Sequence, residues 1–292
     1  IREVKEFYKV LKEIGYEVFQ QHKNRDCSLD SLTLSLGEQD FIRIFQNIKS
    51  GEDIVAYPKE LVPKNKLKQP MKISFIQPSR NNLKYLKWSY NSIRKNQGDH
   101  EVEICVADDF SDKDNTWEWC QEMMKKDPHF KAIRNEGPTR LGHTILYDTL
   151  VNEVATNDIC MIYHADMYLC PGALDAIEKH MYGTAEEPVV ESRIVSLTRI
   201  EPPLHPPGPE KVLQDFGIEP EEFKEDELLE FISNARMAKE TTEGIFAPWA
   251  FWKEDFQQIG GHDAMFAPQS KEDTDIFNRF YLNGVEFTQT WE

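Results

Sequence analysis

The sequence has 292 residues, 29% of them charged, with 34 Lys and Arg against 51 Asp and Glu and a formal net charge of −17. So acidic a chain excludes general binding to nucleic acid or anionic membranes, which needs an excess of Lys and Arg, although a local basic pocket is compatible with it. No apolar run approaches the ~20 residues of a membrane span, no signal-peptide pattern is present, and the length suits one large domain or two smaller ones. The chain begins at Ile1 rather than Met and ends at Trp291-Glu292 just after a strand pattern, as expected of an excised or processed piece. Its cysteines, Cys27, Cys105, Cys120, Cys160 and Cys170, are odd in number and form no C-x-x-C pair. That usage points to buried thiols in a reducing, cytoplasmic compartment.

Val4, Phe7, Tyr8, Leu11 and Ile14 repeat at helical spacing up to Gly15, after which Tyr16 to Gln20 reads as a strand. Residues 29–36 alternate Leu with Ser or Thr, a half-buried strand; residues 40–48 form a short amphipathic helix and residues 53–58 another strand. Between Pro58 and Pro70 stand three prolines and four lysines with little apolar content, which is linker chemistry. Residues 1–70 are therefore expected to be a small N-terminal α/β extension, or the tail of an upstream domain with its linker. Residues 71–292 are expected to be the main domain.

There the pattern becomes regular. Strands are expected at 72–77, 101–107, 130–134 and 159–163, with helices at 83–93, 116–126 and 141–154 between them. Strands alternating with helices of this length mean right-handed crossovers and a mostly parallel sheet flanked by helices, a Rossmann-like α/β fold. Each strand ends in polar residues. One rim of one sheet would thus collect Ser79, Asp108, Asp109, Arg134 and Asp166, where open α/β sheets bind ligands. Beyond Pro171 come a helix at 173–182 and a strand at 189–199. Five prolines in 201–209 then preclude regular structure. Residues 210–240 read as acidic and helical, with 221–230 a solvated face. An apolar stretch, 247–252, precedes Gly260-Gly261-His262-Asp263 and a helix that stops at Asn283-Gly284.

Four constellations could carry chemistry. In Ile159 to Asp166 an unalternating apolar run, a strand buried on both faces, breaks into His164-Ala165-Asp166. His164 and Asp166 lie two apart, on one side of extended chain, and could share a divalent cation or merely end the strand. Asp108-Asp109 suits a cation or a donor such as a pyrimidine ring N–H, or an Asx-turn. Glu272-Asp273 opens a helix, either as a capping box with Ser270 or as a general base facing a cleft. Trp249 and Trp252 could stack on sugar rings or pack in the core.

The order of these motifs resembles the inverting glycosyltransferases of family 2, which have the GT-A fold. Ile73 to Asn81 looks like their first strand and turn. Asp108-Asp109-Phe110-Ser111-Asp112 is similar to their D-D-G-S-x-D motif, with Phe110 in place of glycine. Asn135 to Arg140 looks like the segment before their third helix, and His164-Ala165-Asp166 stands at their D-x-D. Gly260-Gly261-His262-Asp263 and Glu272 to Arg279 look like their G-G-F-D and E-D motifs; the latter string is also similar to that of β-1,4-galactosyltransferases. The resemblance spans 71–287. It implies transfer of a sugar from a nucleoside-diphosphate donor, UDP favoured, to a glycan or other hydroxyl acceptor. Asp108 or Asp109, the backbone at Pro78-Ser79, and Arg80, Arg134 and Arg140 would bind nucleotide. Asp166 with His164 would hold Mn²⁺ or Mg²⁺. Asp273 would be the base with Glu272 beside it, and Trp249, Trp252, His262 and Asp263 would meet acceptor. Two departures stand out: His164 replaces the first aspartate of D-x-D, and the second metal ligand, often a histidine downstream of the E-D helix, has no match before Glu292. His143 and His262 are the alternatives at hand. The rival from another class is a non-catalytic glycan- or partner-binding module on a degraded GT-A fold. A nucleotidyltransferase is disfavoured, because Pro78-Ser79-Arg80-Asn81 is no glycine-rich, lysine-containing phosphate loop.

Overall fold

The computed structural model of the protein describes residues 2–22, 36–38, 41, 52–58, 70–183, 189, 192–204, 206–268 and 271–292. The chain divides into two compact units, residues 1–71 with 184–188 and residues 72–183 with 189–292. In the first unit, α1 (Arg2–Glu13) stops before Gly15, whose φ of +82° no helix accommodates. The strands β1 (Tyr16–His22) and β2 (Glu52–Pro58) then pair antiparallel, from Tyr16 opposite Pro58 to His22 opposite Glu52. Tyr8, Val18 and Phe41 close a small core. The expected strand at 29–36, helix at 40–48 and linker at 58–70 lie almost wholly outside the described residues.

The second unit is built on one twisted sheet. Its first four strands are β3 (Lys72–Ser79), β4 (Glu101–Asp108), β5 (Phe130–Arg134) and β6 (Ile159–Ile162). The helices α2 (Leu83–Asn96), α3 (Thr116–Lys126) and α4 (His143–Thr149) connect them, α4 running on into a π-helical turn, Leu150–Val154. The expected alternation of strand and helix is what forms. After β6 come α5 (Ala173–Tyr182), β7 (Arg193–Leu197), and β8 (Arg199–Glu201) paired with β9 (Lys211–Leu213). The chain then continues through α6 (Glu225–Ala235), β10 (Glu240–Thr241), β11 (Trp249–Trp252), α7 (Lys253–Gln258), α8 (Glu272–Leu282) and β12 (Glu286–Thr290).

The sheet order is β10-β12-β7-β11-β6-β3-β4-β5. Strands β3 to β6 are parallel; β11 is antiparallel to both β6 and β7, so β7 and its parallel partner β12 point the same way. From β3 the chain winds outward through β4 and β5, then returns to lay β6 on the other side of β3. That reversal opens a crevice at the carboxyl ends of β3 and β6, where such sheets bind ligands. The unbroken apolar strands are buried as their patterns require: all four residues of β6 are buried, as are Ile73 to Ser79 of β3.

Two expectations need correction. Residues 210–240 are not one helix. Gly217 (φ +104°) and Pro220 break the run, and only Glu225–Ala235 is α-helical. The solvated face expected at 221–230 is present at Glu221, Glu222, Asp226, Glu227 and Glu230, all exposed, but the stretch also carries packed and bonded residues. Leu228 and Ile232 pack with Phe216, while Glu219 bonds Lys84 and Tyr85, and Glu225 bonds Lys95 and Tyr168. The strand expected at 189–199 begins only at Arg193.

Candidate functional site

A cleft opens at the switch point. Pro78, Ser79, Arg80 and Asn82 supply one wall, Asp109 and Arg140 the rim, His143, Leu146 and Tyr147 of α4 the second wall, and His164, Ala165 and Asp166 the third. Each piece is placed by a strand end. Ser79 closes β3, and its carbonyl accepts from the Asp109 N–H at 2.9 Å. The Gln77 side chain, buried in β3, donates to Ser89 and to the His164 carbonyl, which fixes the chain just beyond β6.

The two aspartates after β4 part company. Asp108 is fully buried and does not line the cleft. It accepts from the Ser111 N–H and lies 3.3 Å from Arg134 Nε, an ion pair without hydrogen-bond alignment, since neither atom counts a partner. Burial raises its pKa despite Arg134 and the Ser111 bonds. Arg134 itself turns to the Ser111 carbonyl and the Trp117 ring, so it too stands behind the cleft. Asp109 faces the cleft but is already engaged. Its carboxylate accepts from the Asn135 side chain (2.8 Å) and from the N–H groups of Leu141 and Gly142 (both 2.9 Å), with Arg140 at 3.5 Å. Burial alone would raise its pKa; these donors outweigh burial and the net shift is downward. Asp109 is thus chiefly an organiser of the 135–142 loop. Beside it Ser79 Oγ is buried without a partner among the described residues, a polar atom left for a ligand.

Phe110 adopts φ +56°, the left-handed conformation that glycine fills in the motif it resembles, and its ring packs on Gly137 so closely that a Cβ there would meet it at 2.3 Å. Asn81, also left-handed at +50°, fastens the turn: its side chain accepts from the N–H groups of Asp112 and Lys113, and its own N–H donates to Ser111 Oγ. Local side-chain bonding of this kind is why asparagine tolerates that conformation.

His143 and His164 face each other across the cleft, ring centroids 6.3 Å apart and planes tilted by 33°. Burial is the main cause of a lowered pKa in both. For His143 the Arg140 charge adds to it; for His164 Asp166 opposes it and His143 adds to it. Both rings are therefore favoured neutral, the form that offers a lone pair to a cation. Glu272 at the start of α8 and Asp166 pull His143 the other way, so both carboxylates are felt at this ring.

The acceptor-side residues divide. Trp249 is 3% exposed and packs against Phe251, Phe277 and Phe280, so it is core and offers no face to a sugar. Trp252 pairs with Ile159, at the end of the sheet opposite the cleft, and meets Tyr182 edge-on. The expectation fails for Trp249 because it is buried in the core, and for Trp252 because β11 is antiparallel, which carries that residue away from the rim. His262 is buried. It stacks on Tyr147 at 5.7 Å and holds Asp148 through Nδ1 (2.7 Å) and its backbone N–H. Asp263 caps the short turn Ala264–Phe266 by accepting from Met265 N–H. Asp273 accepts from the N–H of the next residue, Thr274, at 2.7 Å, and neither it nor Glu272 lines the cleft wall. Lys271, left-handed at φ +59°, precedes them, and Ser270, the expected cap, lies outside the described residues.

Asp148 escaped notice in the sequence, and Arg279 entered only as the end of the Glu272 to Arg279 string. Arg279 bonds Asp275 and the carbonyls of Ile259 and Gly261, so the Gly260-Gly261-His262 turn is held by α4 on one side and α8 on the other. The signal for Asp148 was a lone carboxylate inside the apolar run Ile145 to Val151. Among the described residues the one trio of metal-type ligands within 4.8 Å of one another is His100, Asp175 and Glu178. His100 immediately precedes β4, so this trio sits at the end of the strand away from the cleft.

Residues 74–211 match the family model described as glycosyl transferase family 2. The matched segment resembles that family. No curated protein matches the chain. Among solved structures, the fold is similar to residues 1–349 of TarS from S. aureus, at 17% identity and a TM-score of 0.51, with 76% of this chain and 58% of that one covered. A TarS structure in complex with UDP-GlcNAc matches at 16% identity and a TM-score of 0.51, covering 76% and 56%. GalNAc-T7, solved with UDP, GalNAc and Mn²⁺, matches at 14% identity and a TM-score of 0.55, covering 76% and 43%. The chain thus spans less than two thirds of each of these proteins. The likeness establishes the GT-A fold. No helix among the described residues is long and apolar enough to cross a membrane.

Proposed function

We propose that the family 2 domain is a metal-dependent glycosyltransferase that moves a sugar from a nucleoside-diphosphate donor, UDP-linked, to a hydroxyl acceptor with inversion. The observation that carries this reading is the cleft at the β3/β6 switch point, which brings Ser79, Arg80, Arg140, His143, His164 and Asp166 to one concavity. Arg80 and Arg140 suit the two phosphates, since guanidinium groups pair with phosphate oxygens in two-point contact. The buried, unpartnered Ser79 Oγ and the Pro78 backbone border the place for the base. Uridine is the base in the TarS and GalNAc-T7 complexes.

A divalent cation fits the donor set on the third wall, a carboxylate and imidazoles lining one pocket. Asp166 and His164 would hold Mn²⁺ or Mg²⁺, whose chemistry when bound is to offset charge building on the leaving diphosphate. Asp273 takes the acceptor proton and Glu272 orients it, Glu272 being the one whose charge reaches His143 and Tyr147. A single displacement with one base gives inversion. The free, buried thiols Cys105, Cys120 and Cys160 support a reducing, cytoplasmic setting.

The second reading, a non-catalytic glycan- or partner-binding module, is favoured by one observation: Asp273 accepts from its own helix turn. Calorimetric titration of UDP, GDP and dTDP with and without Mn²⁺, repeated on Asp166→Ala, decides on the donor site. The transferase reading expects UDP binding that needs both metal and Asp166; no nucleotide binding with metal present overturns it. Release of UDP from UDP-sugars, lost in Asp273→Asn, separates the enzyme from a binding module.

A further inference from the structure

We propose a metal site at the end of the sheet away from the cleft, in which His100, Asp175 and Glu178 hold one Zn²⁺ and pin the turn before β4 to α5. It is distinct from the donor cleft, which none of the three residues lines.

The observation that carries it is convergence. One ligand atom from each of the three side chains lies within 4.8 Å of the other two, the one such trio among the described residues. His100 Nε2 is 3.3 Å from Asp175 Oδ1. Around a tetrahedral Zn²⁺ with bonds of ~2.0–2.1 Å, neighbouring ligand atoms stand roughly 3.3–3.5 Å apart. Asp175 and Glu178 are three residues apart in α5, hence neighbours on one helix face.

The buried histidines that meet carboxylates differ in a way that singles this one out. His262 Nδ1 closes on Asp148 at 2.7 Å, the length of a charge-assisted hydrogen bond. His180 has Glu240 near Nδ1 (3.4 Å) and Glu292 near Nε2 (3.5 Å), one at each ring nitrogen, so the two carboxylates cannot share an ion with it. His100 follows neither pattern. Its side chain is 2% exposed, and its Nε2 stands farther from Asp175 than the ~2.7–2.9 Å of a charge-assisted bond. Its Nδ1 has no hydrogen-bond partner among the described residues. A ring so buried and so poorly hydrogen-bonded, with two carboxylates converging on it, calls for a ligand.

Both ligand-bearing segments are fastened at the C-terminal end of α2. The His100 N–H donates to the Gln97 carbonyl, and Gly98 takes φ +62° to make the turn. The Asn96 side chain donates to the Leu169 carbonyl (2.8 Å) and the Tyr168 hydroxyl (3.0 Å), and the Leu169 N–H donates to Ser92 Oγ (2.9 Å). These bonds fix the approach to α5, so the ligands stand on held elements, as a specific site requires. Arg236, bonded to the Pro171 carbonyl, places a positive charge within reach of Asp175. A second cation is therefore held by direct coordination rather than by net charge. That favours Zn²⁺, which takes imidazole nitrogen with carboxylate oxygen, over Ca²⁺ and Mg²⁺, which take oxygen ligands. Water takes the fourth position.

The test uses the whole chain, stripped with a chelator, and Zn²⁺ alone without nucleotide. Calorimetry on Asp166→Ala, which removes a carboxylate of the donor cleft, is expected to show one Zn²⁺ still bound. Adding Asp175→Asn or Glu178→Gln should weaken that ion at least ~10-fold, the loss usual even for partners outside the ligand shell. Zn²⁺ should raise the melting temperature of the wild type and of Asp166→Ala, and lose that effect in the Asp175 and Glu178 variants. Anomalous scattering at the zinc edge from crystals of the unaltered protein should place a peak among the three side chains, which decides even if a variant misfolds. No Zn²⁺ binding without nucleotide, a peak confined to the cleft, or unchanged affinity in Asp175→Asn or Glu178→Gln overturns the proposal. Loss of all Zn²⁺ in Asp166→Ala assigns the ion to the cleft and overturns it too, while leaving the donor reading in place.

Discussion

Replacing Glu103 by glutamine tests the foundation on which the cleft stands. Glu103 is 5% exposed in the middle of the sheet. It accepts from Ser74 Oγ of β3 (2.7 Å) and from the Thr156 N–H (2.8 Å) and hydroxyl (2.7 Å), and pairs with Lys131 of β5 at 2.5 Å. One carboxylate thus ties three strands to the segment that leads into β6. Burial alone would raise its pKa, but Lys131, Ser74 and Thr156 outweigh burial and hold it at about 2 rather than the usual 4.5. At ~1.4 kcal/mol for each tenfold change in proton affinity, the ionised form contributes about 3 kcal/mol to folding. Because the folded pKa is depressed, that contribution is complete above the unfolded value near 4.5 and is lost as pH falls toward 2. Urea unfolding followed by circular dichroism at pH 7, 5 and 3 should therefore show Glu103→Gln about 3 kcal/mol less stable than wild type at pH 7. The gap should shrink steadily at acid pH. A gap that stays constant with pH, or one below ~0.5 kcal/mol at pH 7, would refute the reasoning, the latter being the ordinary scatter of surface changes.

Asp109→Asn keeps the shape but puts an amide N–H against the Gly142 or Leu141 N–H, at a cost of about 1–3 kcal/mol; faster hydrogen exchange at Leu141 and Gly142, with weaker UDP binding, is the expected signature. Gly142→Ala adds a Cβ 2.2 Å from the Pro268 carbonyl at φ +82°, whereas Gly260→Ala, at φ +81°, meets nothing within 4 Å. Thermal melts should separate the two, Gly260→Ala losing only the ~1–2 kcal/mol of a left-handed alanine and Gly142→Ala clearly more. Asp148→Asn releases the His262 ring, so transfer to acceptor should fall while UDP affinity in calorimetry stays at the wild-type value. A matching loss of UDP binding would show that Asp148 serves the donor side instead.

Much of the frame was legible because it obeys short-range rules. The unalternating run Ile159 to Ile162 could only be a strand buried on both faces, and β3, β4 and β5 lie within a residue or two of where their patterns put them. The rim that gathers Ser79, Asp109 and His164 follows from parallel strands of one sense. What could not be read depends on register and direction. Trp249 and Trp252 look alike in sequence, yet an antiparallel β11 buries one in the core and sends the other to the far end. Asp108 and Asp109 are neighbours, and only strand pleat and the Arg134 guanidinium decide that one is interior and the other faces the cleft. The acidic stretch was legible as a solvated face, but not in its contacts. Charge density says nothing of the lysines and tyrosines on α2 and beyond β6 that meet Glu219 and Glu225.

The turn at Gly260-Gly261-His262 explains how donor and acceptor sides can be kept in register. Asp148 on α4 holds it by three contacts to His262, and a Cβ on Gly261 would strike that carboxylate at 2.3 Å. Arg279 on α8 grips the carbonyls of Ile259 and Gly261. The helix that carries His143 toward the donor cleft is therefore joined through one turn to the helix that carries Glu272 and Asp273. Each joint uses a charged group on backbone atoms, which fixes position more tightly than apolar contact and is stronger than a neutral hydrogen bond. A carboxylate acting on an acceptor hydroxyl must stay within hydrogen-bond reach of it, and an error of 1 Å is costly. In the transferase reading, then, the left-handed Lys271 and the half-buried Asp273 need no rigid loop of their own. Their position is set one helical turn later, where Asp275 and Arg279 fasten α8 to the turn that α4 already holds.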